Sequence, residues 1–338
     1  MKERIMRQPW RIFIVLVFLA LFLFPVFQSQ QFIINSMCLV MLYAFWATSW
    51  NILGGYAGQF SLGHACFLGL GAYTTGILFQ HFDCSPWIGL LVSGLVAGLI
   101  SLLIGIPCFR LSGSYFTLST IALCNVIRII FNTNRSLFGL ETGAASGMKL
   151  SWKGTFADMQ FLDKRGFYFV ILGMLILALV VSYLIRRSKM GYYLAAVRTN
   201  QAAAASLGVN VMGMKMRAMF ISAFLTAMGG GIYAMFLQYI DPATVFSNNM
   251  STKIMVLAVV GGSGTLWGPV VGASLLIPLQ QILTSRLGAN LAGIADVAYG
   301  IILMFVIFYM PAGFKNTLVK GIETLIGKAT VKRKKEQV

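Results

Sequence analysis

Apolar runs long enough to cross a lipid bilayer recur along this chain, and most of its charge sits at their ends. A hydrocarbon core about 30 Å thick needs about 20 helical residues. Suitable runs occur at about 12–27, 32–53, 61–80, 87–109, 115–132, 167–185, 217–240 and 296–311. Only 10% of the 338 residues are charged, and the mean hydropathy is +0.81. A soluble domain carries roughly 25% charged residues and needs them to cover its surface. The chain therefore reads as an integral membrane protein. Its long runs point to helices, since a barrel would show short alternating strands. The expected fold is all-α, one transmembrane domain over 1–338.

The stretch 253–285 is too long for one simple span and is broken by "GGSGTLWGP" from Gly261 to Pro269. Charge asymmetry decides how to read it, because cytoplasmic loops collect Lys and Arg. With Lys2, Arg4, Arg7 and Arg11 placed inside, six crossings bring Arg186, Arg187, Lys189, Arg198, Lys215 and Arg217 inside too. The tail at 315–338, with Lys332, Arg333, Lys334 and Lys335, belongs on the same side. Such a tail anchors the last span by charge, with lipid binding as an alternative. An even number of crossings must then lie between 216 and 314, so 253–285 crosses twice or dips in and returns. This predicts about ten transmembrane or re-entrant segments with both termini cytoplasmic. Residues 133–166 become an external loop and 186–216 the largest internal one. The basic start and apolar run up to Phe27 resemble a signal peptide. No small-residue cleavage site follows, so the run reads as an uncleaved span.

The net charge of +17 invites a nucleic-acid partner. Its placement at span ends argues for membrane lipid and no nucleic acid. The five cysteines show no metal-type spacing, and four lie in apolar segments. No disulfide or metal site is expected. A phosphate-binding G-x-x-x-x-G-K-[ST] loop is missing. The nearest stretch, "GIETLIGKAT" from Gly321, has the wrong spacing and Ala329 after Lys328.

The internal loop "RRSKMGYYLAAVRTNQAAAASLGVNVMGMK" contains a short helix with readable ends. Asn200 is a good N-cap, "QAAAAS" favours helix, and Gly208 can close it in the left-handed conformation. Two turns are not stable alone in water, so the helix must rest on something. Its alanine face suits a groove of another protein. A connecting turn on the membrane surface is the alternative.

Three stretches, "GYAGQFSLGHACFLGLGAY", "RRSKMGYYLAAVRTNQAAAASLGVN" and "GGSGTLWGPVVGASLL", occur in this order. Together they resemble the permease subunits of ABC importers for branched-chain amino acids, of the M-type. The resemblance covers about 35–312. It implies a complex of two homologous permeases, two ABC ATPase subunits and an extracytoplasmic solute-binding protein in a bacterial cytoplasmic (inner) membrane. It also implies that this multi-pass chain is no enzyme and binds no cofactor, ATP and magnesium being used by the partner subunits. In that family the internal-loop helix docks on an ATPase, a role that would fall on Arg198, Asn200, Ala202, Ala203 and Gly208. The acidic residues usual after the arginine are replaced here by Thr199, Asn200 and Gln201.

Two glycine-rich stretches, 54–63 and 261–268, interrupt apolar sequence on the same side of the expected topology. Transporters break helices along the solute path, where unwound backbone must be buried or face water. Tyr56, Gln59, Ser61, His64, Asn125, Gly262, Ser263 and Thr265 are the candidate path residues. For Gly69, Gly71, Gly76, Gly94 and Gly98, close helix packing is the expectation. His64 reads as a neutral, hydrogen-bonded structural group, with a proton relay or gate as the alternative. Arg128 either snorkels to the outer interface or helps Asn125 line the route.

The implied substrates are leucine, isoleucine and valine. Urea, short amides and other amino acids remain alternatives, because the motifs identify the scaffold and not the cargo. An ion-coupled secondary transporter would need intramembrane ion ligands, and no acid lies deep in an expected span. A passive channel is the remaining rival; it would not copurify with an ATPase. Cysteines placed between 198 and 208 in whole cells should resist a membrane-impermeant thiol reagent and react after permeabilisation. Labelling from outside would invert the topology.

Overall fold

A computed structural model describes residues 22, 24–25, 28, 30–137, 139–161, 163–287, and 293, 297, 299–302 and 304. The expected basic tail at 315–338 lies outside these residues, as do most of the expected spans at 12–27 and 296–311. The described chain is mainly helical: α1 (Gln31–Asn51), continued by a π-helical turn (Ile52–Tyr56), α2 (His64–Phe82), α3 (Pro86–Cys108) and α4 (Ser114–Thr133). After α5 (Lys164–Arg187) come the short α6 (Lys189–Thr199) and α7 (Gln201–Ser206), then α8 (Val211–Leu237). The short α9 (Pro242–Val245) leads into α10 (Asn248–Gly262) and α11 (Gly268–Leu287). Five helices among the described residues are long and apolar enough to cross a membrane: Gln31–Tyr56, α3, α4, α5 and α8.

The helix α8 forms the hub, and three consecutive glycines explain how. Successive helical positions point about 100° apart. A Cβ on Gly229 would meet Trp46 and Phe45 of α1. On Gly230 it would meet the Leu68 carbonyl of α2, and on Gly231 Thr75 of α2 and Leu90 of α3. Each missing side chain admits a different neighbour. Lipid tails are as apolar as the helices, so close packing rather than hydrophobic burial holds them together. Reciprocally, a Cβ on Gly71 would lie 2.0 Å from the Ala227 carbonyl oxygen. The helix packing expected of Gly71, Gly94 and Gly98 is what the structure shows, whereas Gly69 packs on Phe246 just after α9 and Gly76 on Met148, Leu150 and Ile240 outside the helices. Gly94 and Gly98 receive the rings of Phe224 and Phe220, and Gly105 receives Met216. That reversed order makes α3 antiparallel to α8. The opposite face of α3 exposes Ile88, Leu91, Leu95, Leu99, Leu103 and Ile106, an apolar strip suited to lipid.

The stretch 253–285 resolves into α10 and α11 joined by a turn at 263–267. Gly261 sits against Gly268, and Gly272 against the Leu257 carbonyl, so the two helices fold back on each other. At 15 residues α10 is about 22 Å long, short of a full crossing at 1.5 Å per residue.

Loops gather at two poles. One holds 57–63, 188–210 and 263–267. The other holds 134–163 and the 238–247 connection, which pair as β3 (Met148–Lys149) with β4 (Tyr239–Ile240), beside a hairpin of β1 (Ser136–Leu137) and β2 (Leu140–Glu141). Side chains stitch this second pole. Gln80 Oε1 accepts from the Ser151 N–H, Lys153 pairs with Asp83, and Gln31 donates to Asp163. That last hydrogen bond holds the Asp163 carboxyl below its ordinary pKa.

Gly71→Val should lower the thermal midpoint of the detergent-solubilised protein sharply, by about 1–3 kcal/mol of overpacking or by failure to fold. Gly173→Ala, where a Cβ meets nothing within 4 Å, should leave the midpoint unchanged.

Candidate coupling site between two glycine-rich loops

The last residue of α1, Asn51, joins the two glycine-rich stretches. Its side chain is fully buried. Its Nδ2 donates to the Thr265 carbonyl (2.9 Å), and its Oδ1 accepts from the Gly264 N–H (2.7 Å). An amide offers both a donor and an acceptor, so one side chain satisfies two half-buried backbone groups of the 263–267 turn. The contact needs glycines. A Cβ on Gly55 would fall 1.9 Å from Asn51 Oδ1 and 2.6 Å from the Gly264 nitrogen.

Arg198, at the end of α6, enters the same place. Its Nη1 donates to the Gly55 carbonyl at 2.6 Å. Its stem lies against Gly58 (φ +69°), and a Cβ on Gly264 (φ +78°) would strike its guanidinium at 2.1 Å. Both glycines thus combine a left-handed backbone with a close approach, which other residues accommodate poorly. Gly55 lies in the π-helical turn that continues α1, just before that run of helix ends. Carbonyls at a helix C-terminus lack intrahelical donors and carry partial negative charge. A guanidinium is a fitting partner, and π-turns often mark functional positions.

The helix α7 itself is small. Asn200 Oδ1 caps α7 by accepting from the Ala202 N–H (3.0 Å) and the Ala203 N–H (3.1 Å). Gly208 follows it at φ +84° with open space where a Cβ would stand. Ala204 is buried, while Ala202, Ala203 and Ala205 are exposed and Leu207 is 83% exposed. Lys215 of α8 donates to Gln201 Oε1 (2.7 Å) and so ties α7 to the hub. Arg198 and Asn200 therefore have partners inside the chain, whereas Ala202, Ala203 and Leu207 face outward.

A sequence model described as "Branched-chain amino acid transport system / permease component" matches residues 32–310. The chain belongs to this family. It is similar to the high-affinity branched-chain amino acid transport system permease protein LivM of Escherichia coli, with 26% identity over 277 residues, or 76% of this chain. A probable branched-chain amino acid transport permease protein LivH of Methanocaldococcus jannaschii is 24% identical over 270 residues, covering 76% of this chain and 83% of that protein. The match spans 65% of the length of the E. coli relative. No solved structure matches the chain. It is a multi-pass membrane permease component, of a transport family rather than an enzyme family.

In this permease Tyr56, Gln59 and Ser61 share one loop region and Gly262, Ser263 and Thr265 the other, bridged by Asn51 and Arg198. Trp50 Nε1 donates to the Ser61 carbonyl (2.7 Å), and Ser61 Oγ accepts from the Gly63 N–H. Gln59 Nε2 donates to the Ala57 carbonyl. Thr265 Oγ1 donates to the Gly262 carbonyl and accepts from the Gly268 N–H, closing its own turn. His64 is fully buried between Trp50 and Phe67, with Nε2 2.8 Å from Ser222 Oγ. Ser222 gives its only hydroxyl hydrogen to the Ser49 carbonyl (2.7 Å), so His64 Nε2 must carry the proton it shares. This relay of hydrogen bonds joins α1, α2 and α8. Asn125 stands apart on α4. Asn51 was not among the sequence candidates; its signal is a lone amide closing a long apolar run directly before the glycines.

Asn51→Ala would strand the Gly264 N–H and the Thr265 carbonyl. A loss of about 1–3 kcal/mol is expected, read as a lower thermal midpoint, since each stranded, half-buried backbone group keeps part of its desolvation cost. Asn51→Asp keeps the acceptor but turns a carboxylate oxygen toward the Thr265 carbonyl, and should fall at least as far.

Proposed function

We propose that this permease imports branched-chain amino acids as the membrane subunit of an ABC importer in a bacterial inner membrane. It would work with a second homologous permease, two ATPase subunits and an extracytoplasmic binding protein. Similarity to proteins named LivM and LivH supports a pair of related permeases. One observation carries the mechanism: Arg198, on the loop that holds the small α7 helix, is hydrogen-bonded into the junction of α1 with the α10–α11 turn. The loop pole faces the cytoplasm in this reading. Exposed Ala202, Ala203 and Leu207 form the face on which an ATPase seats.

A shift of α7 by the closing ATPases drags α6 and its Arg198. Arg198 pulls on Gly55, and through Asn51 the pull reaches Gly264 and Thr265. Two helix ends then move from a single contact. A charge-assisted hydrogen bond contributes about 1.5–3 kcal/mol, the same size as typical coupling free energies of about 1–3 kcal/mol. The contact is strong enough to transmit and weak enough to remake each cycle. The binding protein would supply selectivity, so the membrane route needs no tight site of its own.

Reconstituted with its partners, wild type should take up leucine, isoleucine and valine with ATP and ignore ionophores. Arg198→Ala should cut uptake about tenfold or more, as loss of a bond of this size implies, while ATP hydrolysis persists. Arg198→Lys should fall between. Full uptake in Arg198→Ala would refute the coupling route.

A further inference from the structure

The helix α4 is the least covered of the five apolar helices: only 17% of its span-length window is buried. Phe116, Thr120, Cys124, Ile127 and Phe131 turn toward the core. Leu118, Val126 and Ile129 are exposed and apolar. Between these faces runs a third strip: Ser114, Thr117, Ile121, Asn125, Arg128 and Asn132, each three or four residues from the next. That spacing places them in one line along the helix. All are half-exposed or exposed. Thr117 is satisfied, donating to the Phe60 carbonyl at 2.7 Å. Among the described residues, the side chains of Asn125 and Arg128 make no hydrogen bond or ion pair.

Hydrocarbon is a poor solvent for such a strip. Arg128 lies about 7.5 Å below the end of α4 at Thr133, near enough to snorkel on its own long stem. Asn125 lies about 12 Å below that end on a short side chain and cannot. The strip therefore needs water or polar partners along its length. Its lower end meets the glycine-rich 57–63 loop through Thr117. Two residues beyond the end of α4, Arg135 lines a cleft of about 440 Å³ with Lys149, Glu141, His81 and Gln80, a size suited to a small solute.

We propose that this strip of α4 lines a water-filled solute route, and that Arg128 meets the carboxylate of an amino-acid solute within it. The inference rests on the import function and orientation proposed above, and narrows the cargo of that same route. A guanidinium fork matches a carboxylate in geometry and charge. Asn125 and Asn132 carry amides that can accept from an ammonium group and donate to a carboxylate. Urea or a simple amide has no anion for Arg128 to bind.

The test uses the assembled transporter in right-side-out vesicles, with Cys84, the one half-buried cysteine, changed to Ser. I121C, N125C and N132C should react with a cationic, water-soluble thiol reagent about tenfold or more faster than L118C, V126C and I129C, as water favours the thiolate. Leucine with its binding protein should slow N125C labelling. Arg128→Gln should lower leucine uptake about tenfold or more, as loss of a charge-assisted bond would, and Arg128→Lys should retain most of it. Wild-type uptake of urea but not leucine would overturn the function and this inference together. Equal labelling around α4, or full leucine uptake in Arg128→Gln, would overturn this inference alone.

Discussion

The arrangement depends on neighbours being allowed to reach a helix backbone inside a membrane. At Gly229–Gly231 of α8, three neighbours approach within reach of a missing Cβ. Without a hydrophobic driving force between helices, this proximity is what allows dispersion contacts to accumulate. Everything at the loop pole is placed relative to that hub. Lys215 and Ser222 sit on the same helix, and through Gln201 and His64 they locate α7 and the start of α2.

The two glycine-rich loops apply the same physics for a different end. Here the space vacated by side chains is filled by an amide and a guanidinium. Asn51 and Arg198 approach the backbone from opposite elements, and Gly55 is touched by both. A tightly packed junction of this kind suits force transmission, because its parts have few alternative arrangements. Glycine interruption thus serves contact between elements at this pole, beside any exposure of polar groups to a solute.

Much of this was legible in the chain. Apolar run length located α1 to α5 to within three residues at each end, while α8 begins six residues before its expected run. Charge asymmetry required a turn within 253–285, and the turn stands at 263–267. The N-cap at Asn200 and the left-handed Gly208 followed from local chemistry, which does not depend on distant residues. Pairings were not legible. Nothing in "TSWNILGGYAG" announces that Asn51 bonds to residues more than 200 positions later. Periodicity reveals which face a helix buries and is silent about its neighbour. The α4 strip shows the opposite case: its three-and-four spacing is present in the sequence, yet exposure of the folded chain was needed to separate it from the packed face.

The 57–63 loop is anchored at both ends. Arg198 grips it beside Gly55 and Gly58, while Thr117 and Thr120 of α4 hold Phe60 and Leu62. A tether so short has no slack, so it acts as a connecting rod. On the proposed coupling role, motion arriving at one end would leave at the other as a displacement of α4, and the helix that bears the polar strip would follow the loop that carries α7.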